Sequence, residues 1–141
     1  MISTKGRYAV RILADIAERG EDERIPLSAI AERQGISLKY LQHIAKLLVQ
    51  AGILVGVSGK GGGYNLARPK EQITVLEVLE AAEGTIAPVA CLAPGASVCE
   101  RMQGCKTLPM WTKYDELVRD FFGKISIADV ADGTLGHEFN L

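Results

Sequence analysis

The order of apolar and polar positions divides the chain into a run of short helices interrupted by one β-like stretch. Tyr8, Ala9, Ile12, Leu13, Ile16 and Ala17 recur at three- and four-residue steps, which predicts an amphipathic helix over residues 5–19 that stops at Gly20. The charged run EDER at 21–24 predicts a solvated loop, closed by Ile25-Pro26 because proline disfavours helix in the residue before it. Another helix is expected from about Ser28. In LSAIAERQGISLKYLQHIAKLLVQAG two helical patterns flank a break at Gly35-Ile36-Ser37, the layout of a helix-turn-helix. Ala31 is small where two helices must approach, Gly35 tolerates the positive φ of a tight turn, and the Ser37 hydroxyl can cap the next helix. With Leu41, Ile44 and Leu48 as its buried stripe, that helix turns Lys39, Tyr40, Gln42, His43 and Lys46 outward.

After Gly52 the pattern changes. ILVGVSGKGGGYNLARP reads as two short strands around a tip with glycines at 59, 61, 62 and 63. A hairpin directly behind a helix-turn-helix is the order of a winged helix, whose second helix enters the major groove while the hairpin tip reaches phosphate or minor groove. Glycines would let the tip backbone approach a duplex closely. Side chains of these types bond base edges or phosphates, so the candidate DNA-binding set is Ser37, Lys39, Tyr40, Gln42, His43, Lys46, Ser58, Lys60 and Arg68. A nucleotide-binding loop is the rival, and it fails on spacing. Lys60 is followed by Gly61 instead of Ser or Thr, and Tyr64 stands where a dinucleotide fingerprint needs its third glycine.

Thr74 and Glu77 form the signature of a capping box for a helix that ends near Gly84. Beyond a Pro- and Gly-broken loop, Leu108, Trp111, Tyr114, Val118, Phe121 and Phe122 repeat at helical spacing, with Pro109 tolerated in the first turn. This stripe is bulkier than a terminal helix needs to cover its own small domain, and these six residues are the candidate homodimer interface. A two-fold dimer would present two recognition helices to successive major grooves of a pseudo-palindromic double-stranded operator. The expected fold is therefore mainly α with a small β-hairpin: a winged helix-turn-helix domain over 1–84, a cysteine-bearing loop over 85–106, a dimerisation helix with its following segment over 107–132, and a loose tail over 133–141.

Charge supports the division. Residues 1–70 carry eleven Lys and Arg against six Asp and Glu, and residues 71–141 carry five against eleven, so the half holding the helix-turn-helix is the one attracted to phosphate. At 141 residues the chain can bury roughly 68% of its unfolded surface, so its stability need not depend on cross-links. No apolar run approaches the ~20 residues of a membrane span. MISTKGRYAV lacks the apolar core of a secretory signal, so the expected compartment is the cytoplasm, with thiols reduced.

All three cysteines, Cys91, Cys99 and Cys105, fall within CLAPGASVCERMQGC. Soft thiolates on one loop select an iron–sulfur cluster, zinc or copper(I), with one coordination position left open. Structural zinc sites use close cysteine pairs and four protein ligands, and neither condition is met. A redox thiol and a buried structural role for the sulfurs stay open at this point. Catalysis by a cysteine nucleophile needs a base, and the two histidines lie on the recognition helix (His43) and in the tail (His137), so no enzyme is expected.

Taken together, TKGRYAV, SLKYLQHIAKLL, GKGGGYNLARP, ITVLEVLEAAEG and the three-cysteine loop resemble the Rrf-two family of bacterial winged-helix regulators, especially its IscR-type members, over residues 2 to 132. The resemblance implies a homodimeric transcription factor whose cysteines hold an iron–sulfur cluster, commonly two-iron two-sulfur, that alters DNA recognition. The pattern departs from the family at four places. Seven residues separate Cys91 from Cys99 where the family has five, and Leu108 stands in place of a histidine ligand. Tyr8 stands where other relatives recruit an acidic ligand, and Ser58 replaces a wing arginine for which Lys60 partly substitutes. The fourth ligand is thus unassigned among Glu100, the partner subunit, a small external thiol and solvent.

Overall fold

The structure is a computed structural model that describes residues 1–20 and 22–135. Glu21 of the charged loop, and residues 136–141 of the expected tail with His137, lie outside the described residues. The first helix, α1 (Thr4–Glu18), starts where the Ser3 hydroxyl accepts a hydrogen bond from the Lys5 N–H at 3.2 Å. Its apolar stripe Ala9, Ile12 and Leu13 has no exposed surface at all.

The next helix, α2 (Leu27–Gln34), begins one residue before Ser28, directly after Pro26, whose missing N–H is no loss at a helix start. Gly35 ends it at φ +64°, the left-handed turn expected there. Ser37 then caps α3 (Leu38–Gln50) by accepting the Tyr40 N–H at 3.2 Å. Leu41, Ile44 and Leu48 are fully buried, so the helix-turn-helix rests on the stripe its spacing indicated.

Strands β1 (Leu54–Val57) and β2 (Gly63–Leu66) pair antiparallel, with Leu54 opposite Leu66 and Val57 opposite Gly63. Ile25 adds to this hairpin: its N–H donates to the Tyr64 carbonyl at 3.0 Å, and the Tyr64 N–H donates back at 2.9 Å. Two wing glycines thereby acquire an internal reason. A Cβ on Gly63 would lie 2.7 Å from the Ile25 carbonyl carbon, and one on Gly62 would collide with the Val57 carbonyl oxygen. Crowding within the sheet, and not only approach to a ligand, excludes side chains there.

Helix α4 (Val75–Glu83) carries the complete Thr74–Glu77 capping box. The long helix α5 (Leu108–Gly123) is followed by a short α6 (Ile127–Asp132), itself started by a second capping box of Ser126 and Asp129. Reciprocal backbone bonds of 2.8 Å, Val75 N–H to Ile125 and Ile127 N–H to Ile73, tie the entry of α6 to the entry of α4. Ile125 and Ile127 are buried in one core with α1, α3 and α4. Helix α6 therefore closes the winged-helix domain.

Candidate nucleic-acid interface and cysteine loop

Burial of Leu41, Ile44 and Leu48 forces Lys39, Gln42, His43 and Lys46 into solvent on the opposite face of α3. Gln42 and Lys46 line an open groove of about 710 Å³ whose far wall is the wing, with Val57, Ser58 and Gly59. Ser37, Lys39, Tyr40 and His43 line a smaller hollow around the start of the helix. Ser58 and Lys60 are exposed at the tip, where Gly59 and Gly61 take φ of +92° and +76°. This face combines amide, hydroxyl and ammonium groups with the apolar side chains of Leu38, Val49 and Val57 in a concave shape.

Two members of the candidate set are placed differently from the others. Tyr40 is half-buried, its ring edge-on to Tyr8 at 5.9 Å, and the Arg11 guanidinium sits 5.3 Å from the Tyr8 ring centroid. Arg68 is paired with Glu77 and donates to the Gln72 carbonyl at 3.4 Å, so it joins the exit of the wing to the capping box of α4.

A polar network that periodicity did not reveal holds α2 against α1. Asp15, 4% exposed, accepts two bonds from the Arg33 guanidinium at 2.5 and 3.1 Å and one from the Gln34 amide at 2.8 Å. Arg19 stands 3.5 Å away, and Arg11 bonds both the side chain and the carbonyl of Gln34. Burial acts against the Asp15 charge, but the bonds from Arg33 and Gln34 and the nearby guanidinium charges outweigh it and hold the carboxyl below its ordinary value. The one available signal was a carboxylate inside an apolar stripe, between Leu13 and Ile16. A second carboxylate, Glu83, accepts from the Ser3 N–H and hydroxyl at 2.7 Å each and from the Gly6 N–H at 3.0 Å. Partial burial opposes this charge too, and the three bonds lower its pKa on balance.

The cysteine loop has no regular element longer than single turns at Ala90–Leu92 and Met102–Gly104. Cys99 is exposed, and Cys91 and Cys105 are half-buried. The Cys105 sulfur lies 3.4 Å from the Thr107 hydroxyl. That contact, with the Thr107 and Leu108 N–H groups, lowers the thiol pKa and favours thiolate. Among the described residues no three Cys, His, Asp or Glu side chains converge into a metal-binding group. The donor chemistry nevertheless suits a soft centre, and a loop without a continuous hydrogen-bond ladder can close around one.

No residue of α5 is fully buried, and its bulky positions separate onto two faces. Val118 and Phe122 pack against the core, while Trp111 lines a hollow of about 360 Å³ with Ile2, Ile86 and Pro88. On the adjoining outer flank Met110, Tyr114, Leu117 and Phe121 are 56%, 51%, 57% and 45% exposed and form one continuous stripe, with Tyr114 also at the edge of the Trp111 hollow. The six-residue stripe expected from spacing is thus divided, and Met110 and Leu117 join its outer half. Arg119, bonded to Asp115 at 3.0 Å and paired with Glu80, fixes the helix on α4.

No helix of the described residues is long and apolar enough to cross a membrane. The comparisons agree with the geometry. The family model Rrf2, described as an iron-dependent transcriptional regulator, matches residues 2–133. The HTH-type transcriptional regulator IscR of Xenorhabdus nematophila is 36% identical over 129 residues, spanning 92% of this chain and 77% of that relative. Among solved structures, CymR, the global cysteine regulator of B. subtilis, superposes with a TM-score of 0.77 at 27% identity over 94% of this chain and 96% of CymR. T. potens IscR gives 0.74 at 28% over 95% of this chain and 88% of that one. With its helix-turn-helix, wing and nearly full-length family match in place, the chain belongs to the Rrf2 family of transcriptional regulators, a non-enzymatic family with a DNA-binding fold.

Proposed function

We propose that this protein is a homodimeric, sequence-specific DNA-binding regulator that reads an operator with Ser37, Lys39, Tyr40, Gln42, His43 and Lys46 and grips its backbone with Ser58 and Lys60. The observation that carries this is the exposed polar face of α3 opposite the wing across one groove. Because Arg68 is engaged by Glu77, its role is to position the wing. Replacing Lys60 by alanine is expected to reduce the slope of log affinity against log salt by ~0.9, the signature of one lost phosphate contact on B-DNA. An unchanged slope removes Lys60 from the interface.

The same reading places an iron–sulfur cluster, two-iron two-sulfur, on Cys91, Cys99 and Cys105, and the outer stripe of α5 at the dimer interface. A bound cluster supplies a redox-sensitive charge and a fixed loop shape. What the chain contributes is three thiols, one of them tuned towards thiolate by Thr107. Leu108 offers no ligand, so the fourth comes from elsewhere, with Glu100 the acidic group inside the loop. Anaerobic reconstitution is expected to yield iron and sulfide with visible absorption that Cys99→Ala loses. A second reading, a thiol-redox regulator of the same fold, is favoured by the exposure of Cys99 and the separation of the three thiols. Its support includes the similarity to CymR, whose Staphylococcus aureus protein is also known in an oxidized form. Reversible mass shifts at the cysteines, without iron or sulfide, decide for that reading.

A further inference from the structure

Two apolar side chains of α3, Leu38 at its first turn and Val49 at its last, interrupt the polar residues of its outer face. Leu38 is 43% exposed and lies outside the core, in the groove it shares with Gln42 and Lys46 of its own helix and Val57 and Ser58 of the wing. Residues 38, 42 and 46 follow a four-residue step, so all three stand on one ridge of the helix. Recognition helices present their N-terminal residues to base edges, which is where Leu38 sits. The core contains Leu41, Ile44 and Leu48 without it, and although Pro26 and Leu27 line the same groove, packing leaves nearly half of this side chain free to meet a ligand. In the major groove the base edges offer amino groups, carbonyl oxygens and ring nitrogens, and one apolar group: the C5 methyl of thymine.

We infer that Leu38 is a specificity-determining residue that recognises a thymine methyl in each half-site. This rests on the DNA-reading role of α3 proposed above. Gln42, one helical turn further, stands roughly 5–6 Å along the ridge. Its amide is suited to adenine N6 and N7. Since bases rise about 3.4 Å per step along a strand, the thymine lies one or two base steps from the position read by Gln42.

The test is selection by the unaltered protein from two random-sequence duplex libraries, one made with thymine and one with uracil, which lacks only the methyl. Expected is a symmetry-related pair of positions where thymine is enriched from the first library and the preference weakens roughly fourfold with uracil, the effect of one buried methyl. Leu38→Ala is expected to abolish the thymine/uracil difference there and to keep the preference at the neighbouring Gln42 position. Equal preference for thymine and uracil overturns the assignment, as does a methyl preference that survives in Leu38→Ala. Failure to enrich any sequence from either library overturns the DNA-reading role itself, and with it this inference. The uracil arm needs no variant, so a folding defect in Leu38→Ala does not decide the outcome.

Discussion

Replacing Arg33 by methionine is expected to destabilise the protein by about 3 kcal/mol, measured by urea unfolding at fixed protein concentration. The guanidinium is the main partner of an almost wholly buried Asp15. Removing it leaves a carboxylate in a poorly solvated site with only Gln34 and the more distant Arg19. Asp15→Leu is expected to cost less, because Arg33 is one-third exposed and can turn its charge to water. This asymmetry separates a buried charge from a surface ion pair, which would lose ~0–1 kcal/mol from either side. Acid sharpens it. The folded pKa of Asp15 is lowered, so its contribution is present above the ordinary carboxyl value of about 3.9 and is lost as pH falls through the folded value. The gap between the native protein and Arg33→Met is therefore expected to narrow at low pH. Equal losses from the two substitutions, or a gap independent of pH, would contradict this account.

Leu117→Glu is expected to convert the proposed dimer to monomer at micromolar concentration while leaving the fold intact. Leu117 is more than half exposed at the middle of the outer α5 stripe, so the monomer tolerates a charge there. In a two-fold interface the change occurs twice. A central anchor is worth at least ~2 kcal/mol, so about 4 kcal/mol is lost, or roughly a thousandfold in the dimer dissociation constant. Light scattering measures the mass, and circular dichroism checks the helices. Trp111→Glu is the contrast: it places a charge against Ile2, Ile86 and Pro88 and is expected to lower stability first. A Leu117→Glu protein that stays dimeric would move the interface off this stripe.

The parts of the fold legible in the sequence share one property: they are local. The αL turn at Gly35, the Ser37 cap and the Thr74–Glu77 box depend on residues within four positions of one another, and each forms as its spacing indicates. The buried stripe of α3 follows from helical period alone. Of the candidate DNA-binding residues, Lys39, Gln42, His43 and Lys46 occupy the face of α3 that the stripe leaves exposed, Ser58 and Lys60 are exposed at the wing tip, and Tyr40 is half-buried. Arg68 was not legible in this way, because its partner Glu77 lies beyond the end of the wing.

The sequence by itself therefore determined the order of elements, their caps, the hairpin and the grouping of three thiols in one loop. Tertiary structure alone decided which side of α5 meets the core, since Trp111, Val118 and Phe122 and the stripe of Met110, Tyr114, Leu117 and Phe121 share the same helical period. It also decided that Ile25 joins the wing, that the segment after α5 returns to close the domain, and that Asp15 and Glu83 are occupied carboxylates. The physical reason is common to all of them. Period and capping report a helix's relation to its own neighbours along the chain, whereas burial of one face and pairing of a charge depend on what another segment brings alongside.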